Sequence, residues 1–285
     1  HWKNGEPHRQ EIITFTGAFH GRSFAAINAG GNPNYLEGFG EPMAGFRQLE
    51  FGDHDAIKAA ITKDTCAVLL EPVQGEGGVR DIPEVCLIEL RKLCDETGTL
   101  LIYDEVQCGA GRTGKLFAHQ WCDGKADPDI MAVAKGVGGG FPLGACLVTE
   151  EAGKGMRPGS HGSTYGGNPL AMAVGNAVFD EMTKDGFMDE VNRVAGTLKQ
   201  GLASLADRHP EIVEEVRGKG LLTGLKLKTA PKPVQGVARE RNLLVGVAGE
   251  NVLRLAPPLI LTDADVREAI SILDECLTEA KKSGD

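Results

Sequence analysis

The sequence predicts an α/β protein in which a large unit built on a mostly parallel sheet is followed by a small α+β unit. Three observations carry this. Apolar runs at 66–70 and 99–103 flank a helical pattern at 83–97, and strand, helix, strand with short joints makes a parallel pair. Polar and glycine-rich clusters follow the ends of several apolar runs, which is where open α/β sheets hold their ligands. From residue 214 the pattern changes to alternating strands and short helices. The expected division is 1–185 for the large unit, 186–212 for a connecting helix and 213–285 for the small unit.

The totals fit this. The chain has 285 residues, 41% of them hydrophobic, enough for one large or two ordinary domains. A net charge of −10 and no long basic run argue against nucleic acid or an anionic membrane as the main partner. The seven cysteines include no C-x-x-C pair, so they read as free, mostly buried thiols in a reducing compartment, the cytoplasm. Nothing reads as a signal peptide or a membrane-spanning run, and no metal site is expected. The opening His1-Trp2-Lys3-Asn4-Gly5-Glu6 has no initiator Met, and the chain reads as N-terminally incomplete.

Taken in order, 12–16 is a short strand rich in β-branched and aromatic residues, ending in Phe19-His20-Gly21-Arg22. Residues 28–51 carry Gly, Pro and Asn with little periodicity and read as a long loop. A short helix at 55–60 precedes the strand 66–70, which runs into Glu71-Pro72-Val73-Gln74-Gly75-Glu76-Gly77-Gly78. The helix 83–97 stops at Gly98 as a C-cap. The strand 99–103 finishes in Asp104-Glu105-Val106-Gln107. A carboxylate directly after such a run is partly buried and needs a partner: an arginine or backbone donors in one reading, a protonated cofactor ring nitrogen in the other. A glycine-rich loop at 109–114 contains Arg112.

After the turn signal Asp127-Pro128-Asp129, the run 130–134 delivers Lys135 to the glycines at 136 and 138–140, and a second apolar run follows at 144–148. Lys135 is either a surface lysine at a strand end or a partly desolvated amine able to attack a carbonyl. The glycines leave room for a flat cofactor. Next, 159–169 offers hydroxyls and glycine N–H groups ahead of a helix at 170–183. Such donors suit a phosphate as well as a plain cap. An amphipathic helix spans 188–207. The small unit then reads as strands at 221–227, 243–245 and 251–255, a helix at 234–241 and a last helix at 263–281 capped by Thr262. Arg254 lies inside an apolar strand, where it needs a counter-ion or serves as a carboxylate clamp.

Lys135, Asp104 and the hydroxyl-rich loops together point to pyridoxal 5'-phosphate, with the lysine on the aldehyde, the aspartate at the pyridine nitrogen and the loop donors on the phosphate. The literal motifs go further. Phe19-His20-Gly21-Arg22, the stretches 71–78 and 104–107, Lys135, the stretch 162–169 and Leu253-Arg254-Leu255-Ala256-Pro257-Pro258 resemble, in order and over nearly the whole chain, the class III aminotransferases. Within them the acetylornithine aminotransferases are nearest, with the ornithine aminotransferases next.

The resemblance implies the aspartate-aminotransferase-type fold, fold type I of pyridoxal-phosphate transferases. It implies transfer of the δ-amino group of N-acetylornithine to 2-oxoglutarate, giving a semialdehyde and glutamate, in arginine biosynthesis. By the same resemblance Lys135 carries the cofactor and moves the substrate proton, Asp104 stabilises the protonated ring nitrogen, Gln107 bonds near the ring hydroxyl and Phe19 stacks on the ring, with His20 beside it. Ser163 and Thr164 bind the phosphate of the neighbouring subunit's cofactor, which implies a homodimer with shared sites. Arg254 holds the α-carboxylate of glutamate or 2-oxoglutarate, Glu76 pairs with Arg254 for the other substrate, and Arg22 meets the carboxylate of the ornithine-type donor. The family's upstream phosphate loop, Ser-Gly-Thr/Ala-Glu-Ala, lies before the first motif and outside this chain. The rival readings are ornithine, succinylornithine or 4-aminobutyrate as donor, a class III mutase, and a truncated chain that only folds and associates.

Overall fold

The computed structural model describes residues 1–282; the last three residues of the expected small unit lie outside the described residues. After a 3-10 turn at Trp2–Asn4 come β1 (Glu11–Phe15), α1 (Phe24–Gly30), α2 (Pro33–Leu36), β2 (Phe46–Leu49), α3 (His54–Ala60) and β3 (Thr65–Leu70). A two-stranded ribbon, β4 (Val73–Gln74) and β5 (Arg80–Asp81), precedes α4 (Glu84–Thr97) and β6 (Leu100–Asp104). Then come β7 (Ile130–Val133), β8 (Ala145–Val148), α5 (Glu150–Gly153), α6 (Pro169–Met182) and α7 (Phe187–Arg208). The chain continues with β9 (Val213–Lys219), β10 (Leu222–Leu227), α8 (Lys232–Glu240), β11 (Gly246–Ala248), β12 (Val252–Leu255) and α9 (Asp263–Lys282).

The six-stranded sheet has the order β2-β1-β3-β6-β7-β8. Every neighbouring pair is parallel except β7 with β8, which is antiparallel. Helices return the chain between parallel neighbours, so β1, β3, β6 and β7 all end on one edge of the sheet. Behind that edge α4 packs Leu87, Leu90 and Cys94, spaced three and four apart, against Phe15, Leu70 and Leu101. Gly98 ends α4 at φ 64°, where its N–H reaches back to Asp95 O and Cys94 O, as a C-cap does.

The second sheet is antiparallel, in the order β11-β12-β10-β9. α7 lays Leu198, Leu202 and Leu205 on it, and α9 adds Leu273 and Leu277. Thr262 caps α9: its Oγ1 accepts from Asp265 N–H at 3.3 Å and donates to Asp265 Oδ2 at 2.6 Å. All seven cysteines are free, and Cys94, Cys108, Cys122 and Cys276 are buried. No helix of the described residues is long and apolar enough to cross a membrane.

Two expectations need correction. Residues 28–51 are not one long loop. They hold the end of α1, all of α2 and the edge strand β2, which pairs parallel to β1. An edge strand is paired on one side only, and the middle two residues of Phe-Arg-Gln-Leu are exposed, so β2 carries no apolar run to announce it. The strand placed at 243–245 lies three residues later, at β11. Leu244 is 84% exposed there, while Leu243 and Val245 pack on the core from an irregular segment.

Candidate active site

The common carboxyl edge of β1, β3, β6 and β7 gathers the chemistry. β6 ends in Asp104, which is buried. Its Oδ1 accepts from Val106 N–H at 3.0 Å, and His20 Nδ1 lies 2.8 Å from its Oδ2, where the ring N–H donates. The counter-group is therefore a histidine from the end of β1 together with a backbone donor, not an arginine. His20 Nε2 is buried and has no partner.

β3 ends in Glu71, a residue outside the candidates read from sequence. It is buried, and its Oε2 accepts from Phe19 N–H at 3.0 Å. Burial pushes its carboxyl up to about 7, against the N–H of Phe19 and the charge of His20. The signal for it was present: an acid directly after the apolar run 66–70, as Asp104 follows its own run.

β7 delivers Lys135 two residues past its end, with φ at 50°. That left-handed value is costly for a side-chain-bearing residue, on the order of 1 kcal/mol. The lysine lines a cavity of about 820 Å³ together with Gln107, Arg112, Val178 and Pro258. It is exposed rather than partly desolvated. Ala134 precedes it and Gly136 follows it, both small residues. Among the described residues its side chain has no hydrogen-bond or ion-pair partner. Gln107 Oε1 is buried without a partner. Arg112 donates to Leu221 O and Pro257 O, tying the 109–114 loop to the second sheet.

Arg254 Nη1, on β12, donates to Glu76 Oε1, in the turn between β4 and β5, at 2.6 Å. Arg254 borders a cavity of about 570 Å³ that shares Ala256 and Pro258 with the lysine cavity. Glu76 faces a third cavity of about 770 Å³, lined also by Phe19, Tyr35, Arg80 and Glu250. Phe19 sits edge-on to Tyr35, ring centroids 6.0 Å apart, and Arg22 lies over the Tyr35 ring at 4.0 Å. Among the described residues Arg22 has no ion-pair partner. Phe19 thus lines the Glu76 cavity and not the one that Lys135 lines. Ser163 and Thr164 lie on an exposed turn before α6 and line neither cavity.

The structure brings Asp104 and His20 together, and Glu76 and Arg254 together. It leaves Ser163 and Thr164 apart. Arg80 and Glu250 carried no local signal, since they meet across 170 positions of sequence. An acid held by a histidine, an exposed amine and an unpartnered amide oxygen form a set that fits a flat pyridine ring carrying an aldehyde and a hydroxyl.

Comparison with known proteins gives the same picture. Residues 1–277 match the family model described as Aminotransferase class-III. The chain is 58% identical over 271 residues to an acetylornithine aminotransferase of Mesorhizobium japonicum, covering 95% of this chain and 67% of that protein. It is 54% identical over 282 residues to acetylornithine aminotransferase 2 of Caulobacter vibrioides, covering 99% and 69%. Among solved structures, N-acetylornithine aminotransferase from Stenotrophomonas maltophilia superposes with a TM-score of 0.82 at 34% identity, covering 99% of this chain and 70% of that one. Ornithine aminotransferase from Toxoplasma gondii does so with a TM-score of 0.91 at 28% identity, covering 97% and 66%. The chain spans about two thirds of the length of these relatives.

Proposed function

Because the chain belongs to the class-III aminotransferases, we propose that it moves the δ-amino group of N-acetylornithine to 2-oxoglutarate, with pyridoxal 5'-phosphate as cofactor, in the cytoplasm and as a homodimer. The observation that carries the reading is the Glu76–Arg254 pair beside the lysine cavity. A transaminase of this kind must accept two substrates in one site. One presents a carboxylate next to the reacting carbon and the other does not. An arginine capped by a movable glutamate serves both, because a bidentate carboxylate displaces the cap and a neutral chain leaves it in place.

The cofactor supplies a ring that withdraws electrons from the substrate carbon as its proton leaves. Lys135 would hold its aldehyde carbon and carry the proton to and from the substrate. Asp104, oriented by His20 Nδ1–H and Val106 N–H, would stabilise positive charge at the ring nitrogen. Gln107 would spend its unpartnered Oε1 on the ring's hydroxyl side. Phe19 would face the ring, and Arg22 would take the α-carboxylate of the donor. Ser163 and Thr164, exposed on their turn, would meet the phosphate held in the other subunit. The exposed large apolar residues Leu147 and Val148 of β8 and Leu170, Met172 and Phe179 of α6 support the second copy.

Arg254→Ala is expected to lower kcat/KM for 2-oxoglutarate by roughly a hundredfold, the scale of losing one partner of a charge-assisted clamp. The half-reaction with N-acetylornithine should fall far less. Equal losses in both half-reactions would refute the assignment. Running ornithine, succinylornithine and 4-aminobutyrate beside N-acetylornithine in the parent enzyme decides the donor.

A further inference from the structure

Glu250 sits in a conformation that its residue type disfavours. It and Asn251 turn the chain from β11 to β12 with φ at 57° and 62°, left-handed values suited to asparagine and glycine but not to glutamate. A residue held there against its preference points to a use for its side chain. That carboxylate collects two arginines. Arg80 of β5 donates to Oε1 at 2.8 Å, and Arg217 of β9 donates to Oε2 at 2.6 Å.

Each arginine is anchored elsewhere. Arg80 also donates to Thr16 O at 3.0 Å and Gln74 Oε1 at 2.6 Å, and lies over the Phe51 ring at 4.4 Å. Arg217 donates to Gly78 O at 3.2 Å. Between these anchors runs the loop 75–78 that carries Glu76. Its backbone is tightly held, with Gly249 N–H donating to Glu76 O at 2.8 Å. A Cβ on Gly78 would lie 2.8 Å from Gly249 O, and one on Gly77 would lie 2.6 Å from Gly17 O, so neither position has room for a side chain. The Glu76 side chain, by contrast, is 40% exposed where it meets Arg254 on β12.

We infer that Glu250 is a positioning residue for the Glu76–Arg254 switch: by joining Arg80 and Arg217 at one carboxylate it pins the backbone of loop 75–78 to the turn leading into the Arg254 strand, so that only the Glu76 side chain moves when a substrate carboxylate displaces it. This rests on the reading of Glu76 and Arg254 given above. A pinned loop returns the cap to Arg254 each time a dicarboxylate leaves, and keeps the arginine covered while the amine donor binds. Without Glu250, Arg217 keeps Glu215 at 2.6 Å, but Arg80 loses its acid, and Glu76 is an acid lining the same cavity as Arg80. Drawn toward Arg80, it would uncover Arg254 and favour dicarboxylates.

The test is Glu250→Gln in the full-length holoenzyme. Both half-reactions are measured separately, together with the inhibition constant of glutarate, an unreactive dicarboxylate. The ratio of kcat/KM for 2-oxoglutarate to that for N-acetylornithine should rise about tenfold, within the usual range of couplings between sites, and glutarate should bind tighter by a similar factor. Arg217→Gln breaks the same clamp and should act in the same direction with smaller size, which covers the case of an unfolded Glu250 variant. Glu76→Gln should shift the ratio by itself, and adding Glu250→Gln to it should change nothing more. Folded variants at Glu250 or Arg217 with unchanged ratio and glutarate affinity would reduce Glu250 to a structural ion pair and overturn the inference. A further shift in the double variant would overturn it too, since Glu250 would then act by another route. An unmoved ratio in Glu76→Gln would remove the switch, and the role of Glu250 with it.

Discussion

The two halves of the six-stranded sheet differ in how far each completes itself. In the half formed by β1, β3 and β6, Glu71 and Asp104 are buried and each has partners from the same chain. Behind them Ile13, Leu70, Leu101 and Tyr103 are almost wholly buried. In the half formed by β7, β8 and α6, Lys135 has no side-chain partner, every residue of β8 is exposed, and α6 buries only Ala171 and Met182 of its 14 residues. The first half fixes its acids through its own core. The second half presents a lysine and apolar side chains outward.

Asp104→Asn should give the largest effect on the self-contained half. With the role proposed for Asp104, losing its charge is expected to cut turnover about a thousandfold, by analogy with other preorganised charge-stabilising groups, as read from rates at saturating substrate. A loss below tenfold would mean that His20 and Asp104 form only a structural pair. Next in size, Leu101→Ala should cost about 3 kcal/mol of stability in urea unfolding, through lost burial and the cavity left behind.

Glu71 allows a test by pH. Its folded-state carboxyl titrates near 7, above its ordinary 4.5, because of burial. Below about pH 4.5 it is protonated in both states and costs nothing. As pH rises toward 7 the unfolded chain gives up this proton first, so the folded state loses stability, by about 3 kcal/mol once above 7. Glu71→Gln should therefore melt higher than the parent at pH 8 and equally at pH 4. The smallest effect belongs to the other half: Leu147→Ala on β8 should change the unfolding free energy of this chain by no more than about 0.5 kcal/mol. A cost for Leu147→Ala equal to that of Leu101→Ala would erase the contrast between the halves.

The same contrast separates what the sequence revealed from what it hid. Buried strands such as β3 and β6 announce themselves as apolar runs, and the polar residues just after them fall on the site edge without further information. Asp104 and Lys135 were legible for that reason, as was Arg254, whose charge inside an apolar strand demanded a counter-ion. β2 was not legible, because an edge strand with two exposed positions carries no apolar pattern. The exposure of Lys135 was also hidden, since strand-end position does not say what covers a side chain. The Arg80–Glu250 contact depends on how two sheets meet, and no window of sequence reports that.

The most direct measurement is an absorbance spectrum of the protein with added pyridoxal phosphate, for the parent and for Lys135→Ala, before and after N-acetylornithine. The account predicts a yellow band of lysine-held cofactor in the parent alone, bleached by N-acetylornithine and restored by 2-oxoglutarate. The same band and the same turnover in Lys135→Ala would contradict it.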